Sequence, residues 1–148
     1  MSRLQRKPIK LGLEKALENP TKYFGDMRIG LICNQATVNH QFQHAADLFF
    51  EDPEINLTTL FGPQHGIRGD VQDNMIETGH TNDPQTELPI YSLYSETREP
   101  TSSMLSNVDA LVFDLQDVGT RVYTFIYTMA NAMKACAKHG KKFFVLDR

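Results

Sequence analysis

The residues best equipped for chemistry fall in a few short blocks. The first is Gly62-Pro63-Gln64-His65-Gly66-Ile67-Arg68-Gly69-Asp70. Three glycines within eight residues let the backbone approach a ligand closely. His65 can donate to or accept from a hydroxyl, and Arg68 presents a planar fork suited to a carboxylate. A second block runs from Tyr94 through Glu96 to Arg98. A third holds Asp114, Gln116, Asp117, Gly119, Arg121 and Tyr123. Asn34 and Gln35, and the pair Asp147-Arg148, complete the set. Amides, carboxylates, arginines and tyrosines around a cleft are the vocabulary of carbohydrate sites, in which acids do the chemistry. The candidate acids are Asp70, Glu77, Glu96, Asp114, Asp117 and Asp147, and spacing alone does not pair them. Each residue also has a plainer reading. The polar strand ends would be turn residues and caps, and Arg68, Arg98 and Arg121 would form ion pairs with Asp70, Glu96 or Asp117.

These blocks need elements to position them. Arg28 to Cys33, Ile55 to Phe61, Val108 to Leu115 and Lys141 to Leu146 are apolar runs of strand length, the pattern of strands buried on both faces. Leu11 to Glu18, Gln43 to Glu51 and Tyr123 to His139 have helical periodicity, and a short helix is expected from Thr101 to Ser106. Asn19-Pro20 and Asp52-Pro53 close the first two helices, and Gly140 sits where a helix-ending glycine belongs. Gly62 to Thr101 is rich in turn formers and reads as an ordered functional excursion that carries a short apolar piece, Leu88 to Leu93. Strands alternating with helices predict an α/β fold, a Rossmann-like, doubly wound, mainly parallel sheet. Ligands bind such sheets beyond the carboxyl ends of the strands, where Asn34-Gln35, Gly62 to Asp70, Asp114 to Arg121 and Asp147-Arg148 fall.

Composition narrows the class. The chain has 148 residues, 41% hydrophobic and 22% charged, with a net charge of −3. That balance gives no reason to expect nucleic acid, and no apolar run approaches membrane-spanning length. Cys33 and Cys136 each sit in an apolar run and are expected to be buried free thiols. The loop after the first strand, Asn34-Gln35-Ala36-Thr37-Val38, has no glycine, which argues against a dinucleotide fingerprint. His40 and His44 have the spacing of zinc ligands on a helix but lack the accompanying Glu, so no metal is expected. The segment Met1 to Lys10 lacks the apolar stretch of a signal peptide. A cytoplasmic location is expected if Met1 is the true start, and a periplasmic or secreted one if a leader was removed.

Four ordered blocks carry a family resemblance: Leu60 to Asp70; Leu88-Pro89-Ile90-Tyr91-Ser92-Leu93-Tyr94 with Glu96-Thr97-Arg98 and Pro100-Thr101; Val112 to Gly119 with Arg121 and Tyr123; and Val145 to Arg148. Together they resemble the NamZ-type exo-β-N-acetylmuramidases. The resemblance implies a glycosidase that removes terminal N-acetylmuramic acid from peptidoglycan fragments, with no cofactor. It implies that residues 1–148 are the Rossmann-like N-terminal catalytic domain of a longer two-domain protein, with the cleft between the domains. The abrupt end of the chain in a strand and its loop gives the same expectation. Gln64, His65, Asp70, Glu96 and Asp114 are the candidate catalytic residues. Asn34, Arg68, Arg98, Gln116, Asp117, Arg121, Tyr123 and Asp147 are the candidate substrate-binding residues.

One position departs from the family pattern. Many members carry Glu where this chain has Gln64, and an amide cannot act as general acid or base. Three readings stay open: another carboxylate acts, with Asp70, Glu77 and Glu96 nearest in sequence; Gln64 positions a water or an acetamido group; or the protein binds without hydrolysing. A muropeptide or muramic acid disaccharide is the expected partner. The alternatives to a glycosidase are a non-hydrolytic sugar-binding domain and a nucleotide-using Rossmann-like enzyme.

Overall fold

The computed structural model describes residues 9–63, 66–69, 81–94, 97–120 and 122–148. The elements in chain order are α1 (Gly12–Glu18), α2 (Pro20–Phe24), β1 (Arg28–Ile32), α3 (Ala45–Glu51), β2 (Asn56–Gly62), β3 (Thr81–Asn82), β4 (Pro89–Ser92), β5 (Ala110–Phe113), α4 (Phe125–His139) and β6 (Lys142–Val145). The strands form one sheet in the order β3-β4-β2-β1-β5-β6. All neighbouring strands pair in parallel except β3, which runs antiparallel to β4.

The side-chain alternation of each strand divides the core in two. On one face Ile29, Leu31, Leu57, Ala110 and Val112 pack against Leu13 of α1, Phe24 of α2 and Phe49 of α3. On the other face Ile32, Phe61, Leu111 and Phe113 pack against Ala132, Ala135 and Cys136 of α4. Helices therefore cover both faces, as the alternation of strands and helices predicts. Cys33 and Cys136 are both free and buried, and burial pushes both thiols up, Cys136 to about 11.

The strand order fixes where a ligand can enter. From β1 the chain moves to one side, laying down β2 and β4, and then returns to the other side for β5 and β6. The order reverses between β1 and β5, so a crevice opens at their carboxyl ends.

Local differences from the sequence reading have identifiable causes. Asn19-Pro20 does close α1, but Pro20 also opens α2 as its first residue, where a missing N–H costs nothing. Where four strands are expected, six occur among the described residues. β4 falls on the apolar piece Leu88 to Leu93 of the ordered excursion, and Pro89 occupies its first position, where proline is tolerated. Thr101 to Ser106 forms consecutive turns instead of a helix. There Thr101 Oγ1 accepts the Met104 N–H at 3.3 Å and the Thr101 carbonyl accepts the Leu105 N–H at 3.1 Å. Helix α4 begins at Phe125 and ends at Gly140, whose φ of 64° is the left-handed conformation that glycine adopts without strain.

Candidate functional site

A cleft of about 560 Å³ opens at the point where the strand order reverses. Asn34 and Gln35 line it from the end of β1, Gln116 from the end of β5, and Tyr94 from beyond β4. Tyr123 and Phe125 close it at the entry to α4, with Val118 and Val122 on its margin. Tyr123 stacks on Phe125 with ring centroids 5.4 Å apart, and is 46% exposed, so an apolar ligand face has a ring to lie against. A smaller cleft of about 230 Å³ adjoins the first between β5 and β6, sharing Gln116 and Phe125. Asp117, Asp147 and Arg148 contribute its polar lining.

The wall between the clefts is stitched by buried polar groups. Asn34 Oδ1 accepts the Ala36 N–H at 3.0 Å, and the Asn34 N–H donates to Thr37 Oγ1 at 3.0 Å. Thr37 Oγ1 in turn donates to the Asp114 carbonyl at 2.7 Å, tying the loop after β1 to the end of β5. His44 caps α3: its Nδ1 accepts the Ala46 N–H at 3.2 Å, which leaves Nε2 to donate to the Asn34 carbonyl at 3.0 Å. Arg148 donates from Nε and Nη2 to the two oxygens of Asp114 and from Nη2 to the Val38 carbonyl. The Asp114 side chain is fully buried. Burial raises its carboxyl above the usual range, and the hydrogen bond from Arg148 only partly opposes this.

Asp114 therefore sits beneath the clefts, with its oxygens turned to Arg148, and lines neither of them. The catalytic role expected for it is corrected to one of holding the wall. Arg68 is likewise committed. Its Nε and Nη2 donate to Asp83 at 2.7 and 2.8 Å, and its Nη1 and Nη2 to Asp47 at 3.2 and 2.7 Å. Its plainer reading as an ion pair is the observed one, with Asp47 and Asp83 as its partners among the described residues. No donor side of that fork is left open for a substrate carboxylate, so Arg68 is corrected to a strut. It still lies beside the site, because a Cβ added at the neighbouring Gly69 would stand 3.2 Å from the Gln35 Cβ.

The remaining candidates divide plainly. Asn34, Gln116 and Tyr123 meet at the main cleft, and Gln116, Asp117 and Asp147 at the smaller one. Asp117 Oδ1 accepts the Gly119 N–H at 2.6 Å and so shapes the loop after β5. Arg98 lies at the Tyr94 end, its guanidinium 4.8 Å from the centre of the Tyr94 ring. Gln64, His65, Asp70, Glu77, Glu96 and Arg121 lie outside the described residues. From sequence, Gln35 counts among the polar strand-end residues but has no binding role, and Phe125 is not named. Gln35 had a usable signal, its place directly after the first strand; Phe125 looks like any core aromatic. His40 pairs with Glu14 at 2.5 Å, and no cluster of three or more metal-ligating side chains occurs among the described residues.

Comparisons with known proteins point one way. Residues 29–148 match the family model described as exo-beta-N-acetylmuramidase NamZ, N-terminal. The chain is 50% identical over 144 residues to the peptidoglycan beta-N-acetylmuramidase NamZ of Bacillus subtilis (strain 168), covering 97% of this chain and 34% of that protein. Two solved structures of DUF1343 family proteins from Bacteroides fragilis NCTC 9343 have the same fold. One has a TM-score of 0.86 at 45% identity over 97% of this chain, and the other 0.77 at 30% identity over 96%. In each case the chain spans about a third of the relative's length.

Proposed function

Since the chain belongs to the family defined by the N-terminal region of the NamZ exo-β-N-acetylmuramidases, we propose that its main cleft holds the terminal N-acetylmuramic acid of a peptidoglycan fragment as part of a glycosidase. The observation that carries this reading is the lining of that cleft. Asn34, Gln35 and Gln116 contribute amides to it, and Tyr94 and Tyr123 contribute aromatic rings. Amides satisfy the hydroxyl and acetamido groups of an amino sugar, and rings cover its apolar face. Among the described residues Asn34 Nδ2 has no hydrogen-bond partner, so a ligand oxygen can take it without displacing a protein contact.

Roles follow from pairing and exposure. Asp114 and Arg148 hold the wall. Asp117 and Asp147 face the smaller cleft and suit the neighbouring sugar or the leaving group. Proton transfer falls in this reading to Asp70, Glu77 or Glu96, because Gln64 has no titratable group and Asp114 is sealed against Arg148. A glycosidase needs one acid near its operating pH and a second carboxylate within roughly 5–10 Å of it.

A chromogenic N-acetylmuramic acid glycoside tests the reading directly. Release of the chromophore by this chain supports it. Binding without release supports the non-hydrolytic alternative, which Gln64 favours. No response of the amide signals of Gln35, Gln116 and Tyr123 to N-acetylmuramic acid would remove the sugar site altogether.

A further inference from the structure

Four arginines fall among the described residues, and three of them have their in-plane N–H groups engaged. Arg28 is taken by Asp109, Arg68 by Asp47 and Asp83, and Arg148 by Asp114 and the Val38 carbonyl. Arg98 differs. It is exposed, forms no ion pair with a described residue, and lays its guanidinium on Tyr94. A cation over a ring face, its central carbon 4.8 Å from the Tyr94 centroid, is held without a carboxylate partner, so its N–H groups are available to grip a carboxylate with two parallel hydrogen bonds. Tyr94 is shared between two depressions. It lines the main cleft, and with Thr124 it also lines a shallow extension that contains Arg98, Tyr127 and Asn131.

We propose that Arg98 sets specificity for an acidic substituent on the bound sugar, a carboxylate that leaves the main cleft across Tyr94 and ends at the guanidinium. This rests on the sugar reading of the cleft. The carboxylate has two possible sources, the lactyl ether of muramic acid and the acidic end of an attached peptide. The site chemistry is the same for both: one planar cation, preset by its aromatic neighbour, with the Asn131 amide lining the same depression. Arg98 is exposed and forms no ion pair with a described residue, so its replacement should leave the fold standing.

The test compares this chain with Arg98→Met and Arg98→Lys by NMR titration. The ligands are N-acetylmuramic acid, its lactyl methyl ester, N-acetylglucosamine, and N-acetylmuramic acid amidated with a dipeptide bearing a free carboxylate. The unaltered chain should prefer the carboxylate-bearing sugars by about tenfold or more, the worth of one charge-assisted hydrogen-bond pair. Arg98→Met should lose that preference while keeping its melting temperature and its affinity for N-acetylglucosamine. Arg98→Lys, which keeps the charge but not the fork, should recover part of it. Preference for the free lactyl acid over its ester identifies the lactyl source; preference only for the dipeptide adduct identifies the peptide. If Arg98→Met keeps the full preference, or the unaltered chain shows none, the assignment is wrong. If the unaltered chain binds none of these sugars, the sugar reading fails first and takes this assignment with it.

Discussion

Arg148 and Asp114 meet as a forked pair, Nε to Oδ1 at 2.5 Å and Nη2 to Oδ2 at 3.2 Å, and so lock the loop after β6 onto the end of β5. The same arginine reaches the Val38 carbonyl in the loop after β1. Three chain segments that wall the clefts are therefore joined through one guanidinium. Arg148 is 10% exposed and Asp114 fully buried, so removing either partner strands a charge away from water. Asp114→Asn should cost roughly 3–5 kcal/mol in urea unfolding. The double variant Asp114→Asn with Arg148→Met should cost clearly less than the sum of the two single changes, because neither charge is then left alone.

Asp83 gives the chain an acid limit. Its carboxyl is held at about 2, chiefly by the hydrogen bond from Arg68, with further help from Thr86, while burial works the other way. A carboxyl lowered on folding contributes stability that is fully present above its unfolded value near 3.8 and is lost as the pH falls through 2. The contribution is about 2 kcal/mol from the size of the shift. Unfolding free energy should therefore decline between about pH 4 and 2, and Asp83→Asn should flatten that part of the profile while lowering stability at neutral pH.

Gly12 is held where a larger residue does not fit. A Cβ there would stand 2.5 Å from the Asp147 nitrogen and 2.7 Å from the Leu146 carbonyl carbon, both backbone atoms. The Gly12 N–H also donates to the Asp147 carbonyl at 2.7 Å. Alanine would gain up to about 1 kcal/mol of helix propensity but cost about 1–3 kcal/mol through overpacking against a backbone that cannot turn aside. Gly12→Ala should lower the denaturation midpoint and move the amide signals of Asp147 and Arg148. A more stable variant would show that α1 shifts without cost.

Gln116 separates binding from stability. It is exposed at the end of β5, lines both clefts, and has no hydrogen-bond partner among the described residues. Gln116→Ala should change unfolding free energy by less than about 0.5 kcal/mol. Affinity for N-acetylmuramic acid should fall about three- to tenfold, the worth of one neutral hydrogen bond. An unchanged dissociation constant would exclude Gln116 from contact with the sugar.

The sequence alone determined the local pieces. β1 and β5 were legible because their apolar runs are continuous, and Gly140 because only a left-handed residue ends α4 where it does. The polar residues at the strand ends were legible because a parallel sheet must hand the chain to a loop there, and Asn34, Gln116 and Asp147 do line clefts. What only the tertiary structure decided is which side chains those residues face. Arg68 finds Asp47 and Asp83, 21 and 15 positions away, and Asp114 finds Arg148 across 34. β4 has no clear periodicity of its own and is a strand because β2 offers it a parallel partner. Periodicity reports only neighbours a few residues apart, whereas strand order and ion pairing depend on which distant segments pack together. A fork such as that of Arg68 or Arg98 therefore reads the same in the chain whether it props a loop or faces a ligand, and packing alone makes the difference.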